Sequence, residues 1–130
     1  MNNYDTILEL EPYTMIDVLT TEYLTEVPNS INTIEDMNLA SQKLLKLSAS
    51  YSFITSLLSY VKISTRDAKR EVNKADKEWK DIKKAKYEDL VDKKEIIANI
   101  AESIKQQYSA ISRAVTIHIE NNKELNMAMR

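Results

Sequence analysis

Apolar residues recur in alternating steps of three and four along most of this chain. A first seam of this kind runs over residues 37–82, and a second runs over residues 90–118. Such steps keep side chains on one face of a helix, and over many heptads they predict helices that pack on helices. We therefore expect an all-α protein built from long, heptad-patterned helices.

A shorter helix is predicted ahead of the first seam. Pro12 suits a first helical turn, and apolar residues follow it at helical spacing. Asn32 followed by Glu35 resembles a capping box, which predicts that the main helix begins there. The chain thus divides into an acidic N-terminal segment with a short helix, residues 1–30, and a helical hairpin or coiled-coil domain, residues 31–130.

The ends of the long helices must be read from caps, because the chain has no glycine and only two prolines. Asp92 with Glu95 predicts the start of the last helix, and a hydroxyl residue ahead of Asp67 predicts an earlier break near residues 63–66. Two architectures stay open, a helical hairpin and a three-helix coiled-coil-like bundle. In both, leftover apolar surface predicts a homo-oligomer.

Composition excludes several classes of protein. Phosphate-binding loops, dinucleotide fingerprints and nucleophile elbows all need glycine, and thiolate metal sites and disulfides need cysteine, but the chain has neither residue. No apolar run approaches the roughly 20 residues of a membrane span. We expect a soluble, non-enzymatic, intracellular protein without cofactor, metal or membrane.

Charge is distributed unevenly along the chain. Residues 1–60 carry a net charge of −6, whereas residues 61–95 carry 12 basic and 9 acidic groups and residues 96–130 are nearly neutral. If residues 62–84 form one helix, six cations fall within a sector of about 80°. We call these six the cationic stripe: Lys62, Arg66, Lys69, Lys77, Lys80 and Lys84.

The cationic stripe has two interpretations. It could track a phosphate backbone, giving salt-sensitive and sequence-tolerant binding, and an oligomer would multiply those contacts. It could instead be the solvated exterior of a coiled coil. Three aromatic residues could stack on bases, although their positions on or near the seams favour the core: Trp79, Tyr87 and Tyr108.

The stretch QYSAISRAVTIHIE, residues 107–120, holds the only histidine. A helix places His118 on the second seam, whereas the alternation of Val115, Ile117 and Ile119 would also fit a strand. Flanking Gln, Ala, Lys and Glu, together with the upstream heptads, favour the helix. We expect the stretch to form one face of a helix.

Reactive chemistry at His118 is not indicated. No cysteine exists, and no glutamate lies three residues before His118 as a carboxylate-bridged helical metal site would require. Ser109 and Ser112 lie nearby, but without glycine there is no nucleophile elbow. A structural or interface role for His118 is therefore the expectation.

The C-terminal segment ESIKQQYSAISRAVTIHIENNKEL resembles the UvsY-type recombination mediators of tailed phages. The resemblance lies in residues 110–113 and 117–119, near the chain end, and is strongest over about the last 25 residues. It implies a small oligomeric accessory protein that binds single-stranded DNA in the cytoplasm of a phage-infected or bacterial cell. Its implied partners are the strand-exchange recombinase, which it helps to load, and the single-strand binding protein.

The resemblance also implies site residues. The family's DNA contacts come from a Lys/Arg cluster on a middle helix, to which Arg66, Lys69 and Arg70 correspond, so Arg70 joins the stripe as a predicted nucleic-acid-binding residue. The family oligomerises through its C-terminal helix, which here implies Ile104, Tyr108, Ile111, Val115 and His118. The alternative hypothesis is a phage helical interaction or adaptor protein, or a host-factor inhibitor, that binds through an exposed heptad face without nucleic acid.

Overall fold

The computed structural model describes residues 3–128, without the side chains of residues 125, 126 and 128. Over these residues the chain forms helices and no strand, which confirms the all-α prediction and the helical form of residues 107–120. None of the described helices is both long enough and apolar enough to cross a membrane. Residues 1, 2, 129 and 130 of the two predicted segments lie outside the described residues. The helices are α1 (Asn3–Leu8), α2 (Pro12–Tyr23), α3 (Ile34–Lys74) and α4 (Lys80–Ala128).

A capping box begins α3, one residue later than predicted. Thr33 is the N-cap, with extended backbone at φ −127° and ψ 168°, and its Oγ1 accepts a hydrogen bond from the Asp36 N–H at 3.0 Å. The Asp36 carboxylate accepts in return from the N–H groups of Thr33 and Asn32, at 3.2 and 3.0 Å. The assignment of the box to Asn32 and Glu35 was therefore wrong, because the extended cap conformation falls at Thr33.

The long helices reverse between Lys74 and Lys80. Ala75 is extended, at φ −70° and ψ 142°, and the N–H of Trp79 donates to the carbonyl of Asp76 at 3.0 Å to close a turn. The carbonyl of Trp79 then accepts from Lys83 at 3.0 Å, which starts α4. The turn needs no glycine, because residues 3–128 contain no positive φ angle.

This reversal confirms the helical hairpin and corrects three predictions about its course. Residues 63–66 lie inside α3 and residues 92–95 lie inside α4, so neither predicted break exists. Residues 62–84 are two helices joined by a turn and not one continuous helix. The hydrophobic seam keeps its phase through the turn, so its periodicity carried no signal of the reversal.

Seam residues of the two long helices form the core, and α2 adds Met15 and Leu19. Each fully buried aliphatic side chain contributes about 1.5–3 kcal/mol, so packing holds the hairpin more than helix propensity does. Near the turn the seam is exposed, at 57% for Trp79 and 61% for Ile82. The fully buried seam residues are Leu47, Ile54, Val61, Ile97 and Ile111, with Ile104 nearly so.

The N-terminal helices cover one face of the hairpin. The rings of Tyr4 and Tyr23 lie against Phe53 of α3, with centroid distances of 5.6 and 4.9 Å. Tyr4 also contacts Tyr60, whose hydroxyl donates to the Asp5 carboxylate. Both α3 residues lie on the same side of the helix, so the opposite face of the hairpin is left open.

A buried lysine ties α1 to α4. The side chain of Lys93 is 7% exposed, and its ammonium donates to the carbonyl of Leu8, the last residue of α1, and to the Asp89 carboxylate at 2.8 Å. Helix ends leave carbonyl groups without intrahelical partners, and a cation there is favourable. Lys93 therefore stabilises the packing of α1 against α4.

The connection between α2 and α3, residues 24–33, is fastened by side chains of both long helices. Lys43 and Lys46 of α3 donate to its carbonyl oxygens at 2.9 and 3.1 Å. Gln107 of α4 accepts the N–H of Thr25 at 3.0 Å. The acidic N-terminal segment therefore shares one folded core with the hairpin.

Candidate nucleic-acid interface

Four cations form an exposed face on the last turns of α3: Lys62, Arg66, Lys69 and Arg70. Arg66 and Arg70 each lie 3.9 Å from Asp67, in exposed pairs that contribute little energy. Within the described part of the chain, Lys62 and Lys69 form no ion pair. Most of the positive charge on this face is therefore free to act on a ligand.

Lys62 and Lys69 of this face point away from the N-terminal helices. Lys62 follows Tyr60 by two residues, which places it about 200° further around α3. Since Tyr60 contacts α1, Lys62 lies on the open side of the hairpin. Lys69, nine residues past Tyr60, lies on the same open side, and both lysines are exposed there.

The remaining predicted cations lie on other elements. Lys77 is in the turn, and Lys80 and Lys84 are in the first turns of α4; all three are exposed. The prediction of a single six-residue stripe on one helix is therefore wrong, because the chain reverses at residues 75–79. The hairpin nevertheless gathers these cations at one end of the molecule, on two antiparallel arms.

Cations from both arms border one groove. Tyr108 of α4 and Ser48 of α3 line the same pocket between the long helices. Residues a multiple of seven apart share a side of a supercoiled helix pair. Lys62 and Lys69 follow Ser48 by 14 and 21 residues, so they share its side of α3. Lys80 precedes Tyr108 by 28 residues, so it shares the side of α4 that Tyr108 occupies. We call the α3–α4 cleft that these residues border, on the face away from α1 and α2, the open groove.

Sequence reasoning missed two further lysines of the open groove. Lys94 is half-buried and in heptad phase with Lys80, and Lys105 lines the pocket beside Tyr108. Lys80, Tyr87 and Lys94 recur every seven residues in the sequence, but this repeat does not include Lys105 and indicates no groove until α3 and α4 pair.

Carboxylates are distributed differently along the two grooves. Beside the open groove, Glu102 lies 3.9 Å from Lys105 in an exposed pair, and it belongs to a seven-residue repeat of α4 carboxylates: Asp81, Glu88, Glu95 and Glu102. The groove on the opposite face, beside α1, mixes two lysines with five carboxylates: Lys83 and Lys86 with Asp5, Glu9, Asp67, Glu71 and Asp89. Carboxylates therefore outnumber lysines in the groove beside α1.

Two of the three aromatic residues weighed for stacking are more exposed than their seam positions predicted. Trp79 lies in the turn and is 57% exposed, and Tyr108 is 41% exposed at the edge of the helix interface. Tyr87 is half-buried along the open groove. The expected core role is thus wrong for Trp79, because the reversal takes it out of the interface between the long helices.

The predicted oligomerisation residues differ in how exposed their side chains are. Ile104 and Ile111 are buried within the core of the chain itself, and Val115 packs partly against it. Tyr108 is exposed, as are the neighbouring Ile117 and Ile119 at 50% and 52%. Apolar surface for assembly is thus available beside the predicted positions.

Both ring nitrogens of His118 have partners. Nδ1 donates to the carbonyl of Ile31 at 2.9 Å, and Nε2 accepts from the side-chain amide of Asn122 at 3.1 Å. The first of these bonds holds the α2–α3 connection against α4. Among the described side chains, no group of three or more His, Cys, Asp or Glu could hold a metal ion.

No protein-family model, curated protein or solved structure matches this chain. Its function is therefore inferred from the fold and from the distribution of charge over it.

Proposed function

We propose that this protein is a non-enzymatic accessory protein that binds single-stranded DNA along the outer face of α3. One observation carries the proposal: Lys62, Arg66, Lys69 and Arg70 are all exposed on the last turns of α3, and Lys62 and Lys69 lie on the side opposite the one that contacts α1. Arg66 and Arg70 pair with Asp67 only in long, exposed contacts. Such a face suits a phosphate backbone better than a neutral partner.

Binding would be dominated by backbone charge. Each phosphate neutralised by Lys or Arg releases counterions, so affinity falls steeply with salt and depends little on sequence. Lys80 and Lys84 lie on the second arm, whose axis is roughly 8–10 Å from that of α3. They would extend the footprint across the hairpin tip.

The proposed role in recombination rests on the C-terminal resemblance to UvsY-type mediators. In that role the protein would hold single-stranded DNA and help to load a recombinase in the presence of single-strand binding protein. Assembly of several copies would multiply weak phosphate contacts into one tight footprint. The exposed Ile117 and Ile119 offer apolar surface for such a homo-oligomer.

A second candidate function is a helical adaptor or host-factor inhibitor that does not bind nucleic acid. Large apolar side chains are exposed along α3, including Leu39 at 50%, Leu45 at 73% and Ile63 at 51%. Exposed apolar side chains on a helix can serve as protein-binding anchors. This hypothesis predicts no affinity for DNA.

Binding of a labelled single-stranded oligonucleotide at low salt separates the two functions. Lys62→Gln with Lys69→Gln is expected to lower affinity several-fold, because both lysines would contact phosphates. Arg113→Gln with Lys123→Gln removes the same charge from other exposed sites on α4 and should change affinity much less. Equal losses in both variants, or no binding by the wild type, would reject the proposed interface.

A further inference from the structure

The open groove leads from the cations to a pocket walled by two tyrosines. Tyr51 of α3 and Tyr108 of α4 line it, at 38% and 41% exposure, above a floor of Leu47 and Ile104. The pocket measures about 320 Å³, near the lower end of ligand-site volumes. It is therefore an apolar recess of a size suited to a small flat group.

The pocket has polar groups where a ligand would enter. The Lys105 side chain is 58% exposed and lines one wall, and the hydroxyl residues Ser48 and Ser109 lie at the rim. Lysine can neutralise a phosphate, and serine hydroxyls can donate to or accept from the edge of a base. An aromatic wall with a cation and hydroxyls at its rim fits a nucleotide.

The pocket and the cationic face lie on one path. Lys62 is eleven residues beyond Tyr51 on α3, and Lys94 is eleven residues before Lys105 on the antiparallel α4. The two lysines therefore sit at the same height of the groove, about 16 Å from the pocket. A strand that follows these cations would reach the tyrosines.

The charge of the path favours a nucleic acid strand over an apolar segment of another protein. Lysines border it at the pocket and at the Lys62/Lys94 level, and Lys105 is paired with Glu102 only in an exposed contact of 3.9 Å. A polyanion gains from every one of these lysines. An apolar helix would leave them without partners.

From this geometry we infer that the Tyr51/Tyr108 pocket is a binding site for an unpaired nucleobase. The inference rests on the proposed function and adds a stacking contact to its phosphate contacts. Each base stacked on an aromatic side chain contributes about 1–3 kcal/mol, or roughly 5- to 150-fold in affinity. A base within a duplex is stacked on its neighbours and could not enter, so the site selects single strands.

The test compares an oligothymidylate with an abasic strand of equal length and phosphate number. Wild-type protein is expected to bind the base-bearing strand at least about fivefold more tightly. Tyr51→Leu with Tyr108→Leu should remove this preference, whereas Tyr51→Phe with Tyr108→Phe should keep it because the rings remain. Tyr13→Leu, at an 84% exposed site on α2, is the control and should also keep it.

The outcomes separate the pocket from the proposed function. If wild-type protein binds both strands equally, there is no base site, although DNA binding stands. If it binds neither strand at low salt, both proposals fail. If light scattering shows that the leucine variant dissociates an assembly while the base preference persists, the pocket is a contact between copies and the inference is overturned.

Discussion

The imidazole of His118 and the backbone carbonyl of Ile31 are joined by a 2.9 Å hydrogen bond across 87 residues of sequence. The bond fastens the α2–α3 connection to the C-terminal half of α4. Because Ile31 is buried against the core, its carbonyl has little access to another donor. The single histidine of the chain thus acts as a structural clamp.

Replacing this clamp should cost stability and leave DNA binding intact. His118→Ala is expected to lower the free energy of unfolding by about 1–3 kcal/mol, the cost of leaving a buried acceptor unpaired. Urea unfolding measures the change, and Asn122→Ala, which removes an exposed bond, should cost less. Loss of DNA binding at full stability would assign His118 to the interface instead.

The α3 capping box should make stability depend on acid. Hydrogen bonds from the backbone N–H of Asn32, and to a lesser extent of Thr33, lower the pKa of Asp36 below its ordinary value of 3.8. The folded state therefore favours the carboxylate, and this stabilisation is present above pH 3.8 and lost as the pH falls through the lower folded pKa.

Thermal unfolding across pH should show this loss directly. The gap in Tm between wild type and Asp36→Ala is expected to be widest at neutral pH and to shrink below pH 4. Asp17→Ala, at an exposed site on α2, is the control and should show no such gap. Thr33→Ala removes the other half of the box and should cost about 1 kcal/mol. An equally wide gap at acid pH would mean that Asp36 does not act through its charge.

Lys93 should hold α1 on the hairpin. Lys93→Ala leaves the Leu8 carbonyl without its donor and empties a buried site, so we expect a loss of about 1–3 kcal/mol. Hydrogen exchange should show that this substitution lowers the protection of backbone amides in α1 more than that of backbone amides in α3. Lys86→Ala, which removes an exposed lysine of the same helix, should lie within about 0.5 kcal/mol of wild type.

Much of the fold could be predicted from periodicity alone. Steps of three and four identified the long helices and most of the core, because burial requires apolar residues on one helical face. The reversal could not be located, since Ala75 turns the chain in ordinary extended backbone and Val72 to Ile82 keep the seam's phase. Periodicity reports which face is apolar and not whether the helix continues.

Part of the candidate site could also be predicted from helical periodicity. The cations of α3 share a face whether or not the helix continues past Lys74, so Lys62, Arg66 and Lys69 stayed together. Lys80 and Lys84 moved to the second arm when the chain reversed. Lys94 and Lys105 could be recognised only once the pairing of α3 with α4 was known, because an interhelical groove exists only in the packed structure.

Spin labels can test the reversal, since the chain has no native cysteine. Arg66→Cys and Glu88→Cys are predicted to lie within about 20 Å on adjacent arms, whereas one continuous helix would separate them by about 33 Å. Leu45→Cys with Arg66→Cys, both on α3, should give about 32 Å and calibrates the measurement. A long distance for the first pair would contradict the hairpin.

The salt dependence of single-stranded DNA binding shows whether the cations of α3 contact phosphates. Log affinity is expected to fall linearly with log salt, and changing Lys62, Arg66, Lys69 and Arg70 to Gln should reduce the magnitude of the slope by about 3, at roughly 0.7 per phosphate contact. The Arg113→Gln and Lys123→Gln variant should keep the wild-type slope. An unchanged slope in the fourfold variant, or no binding at low salt, would contradict the assignment of this face to DNA.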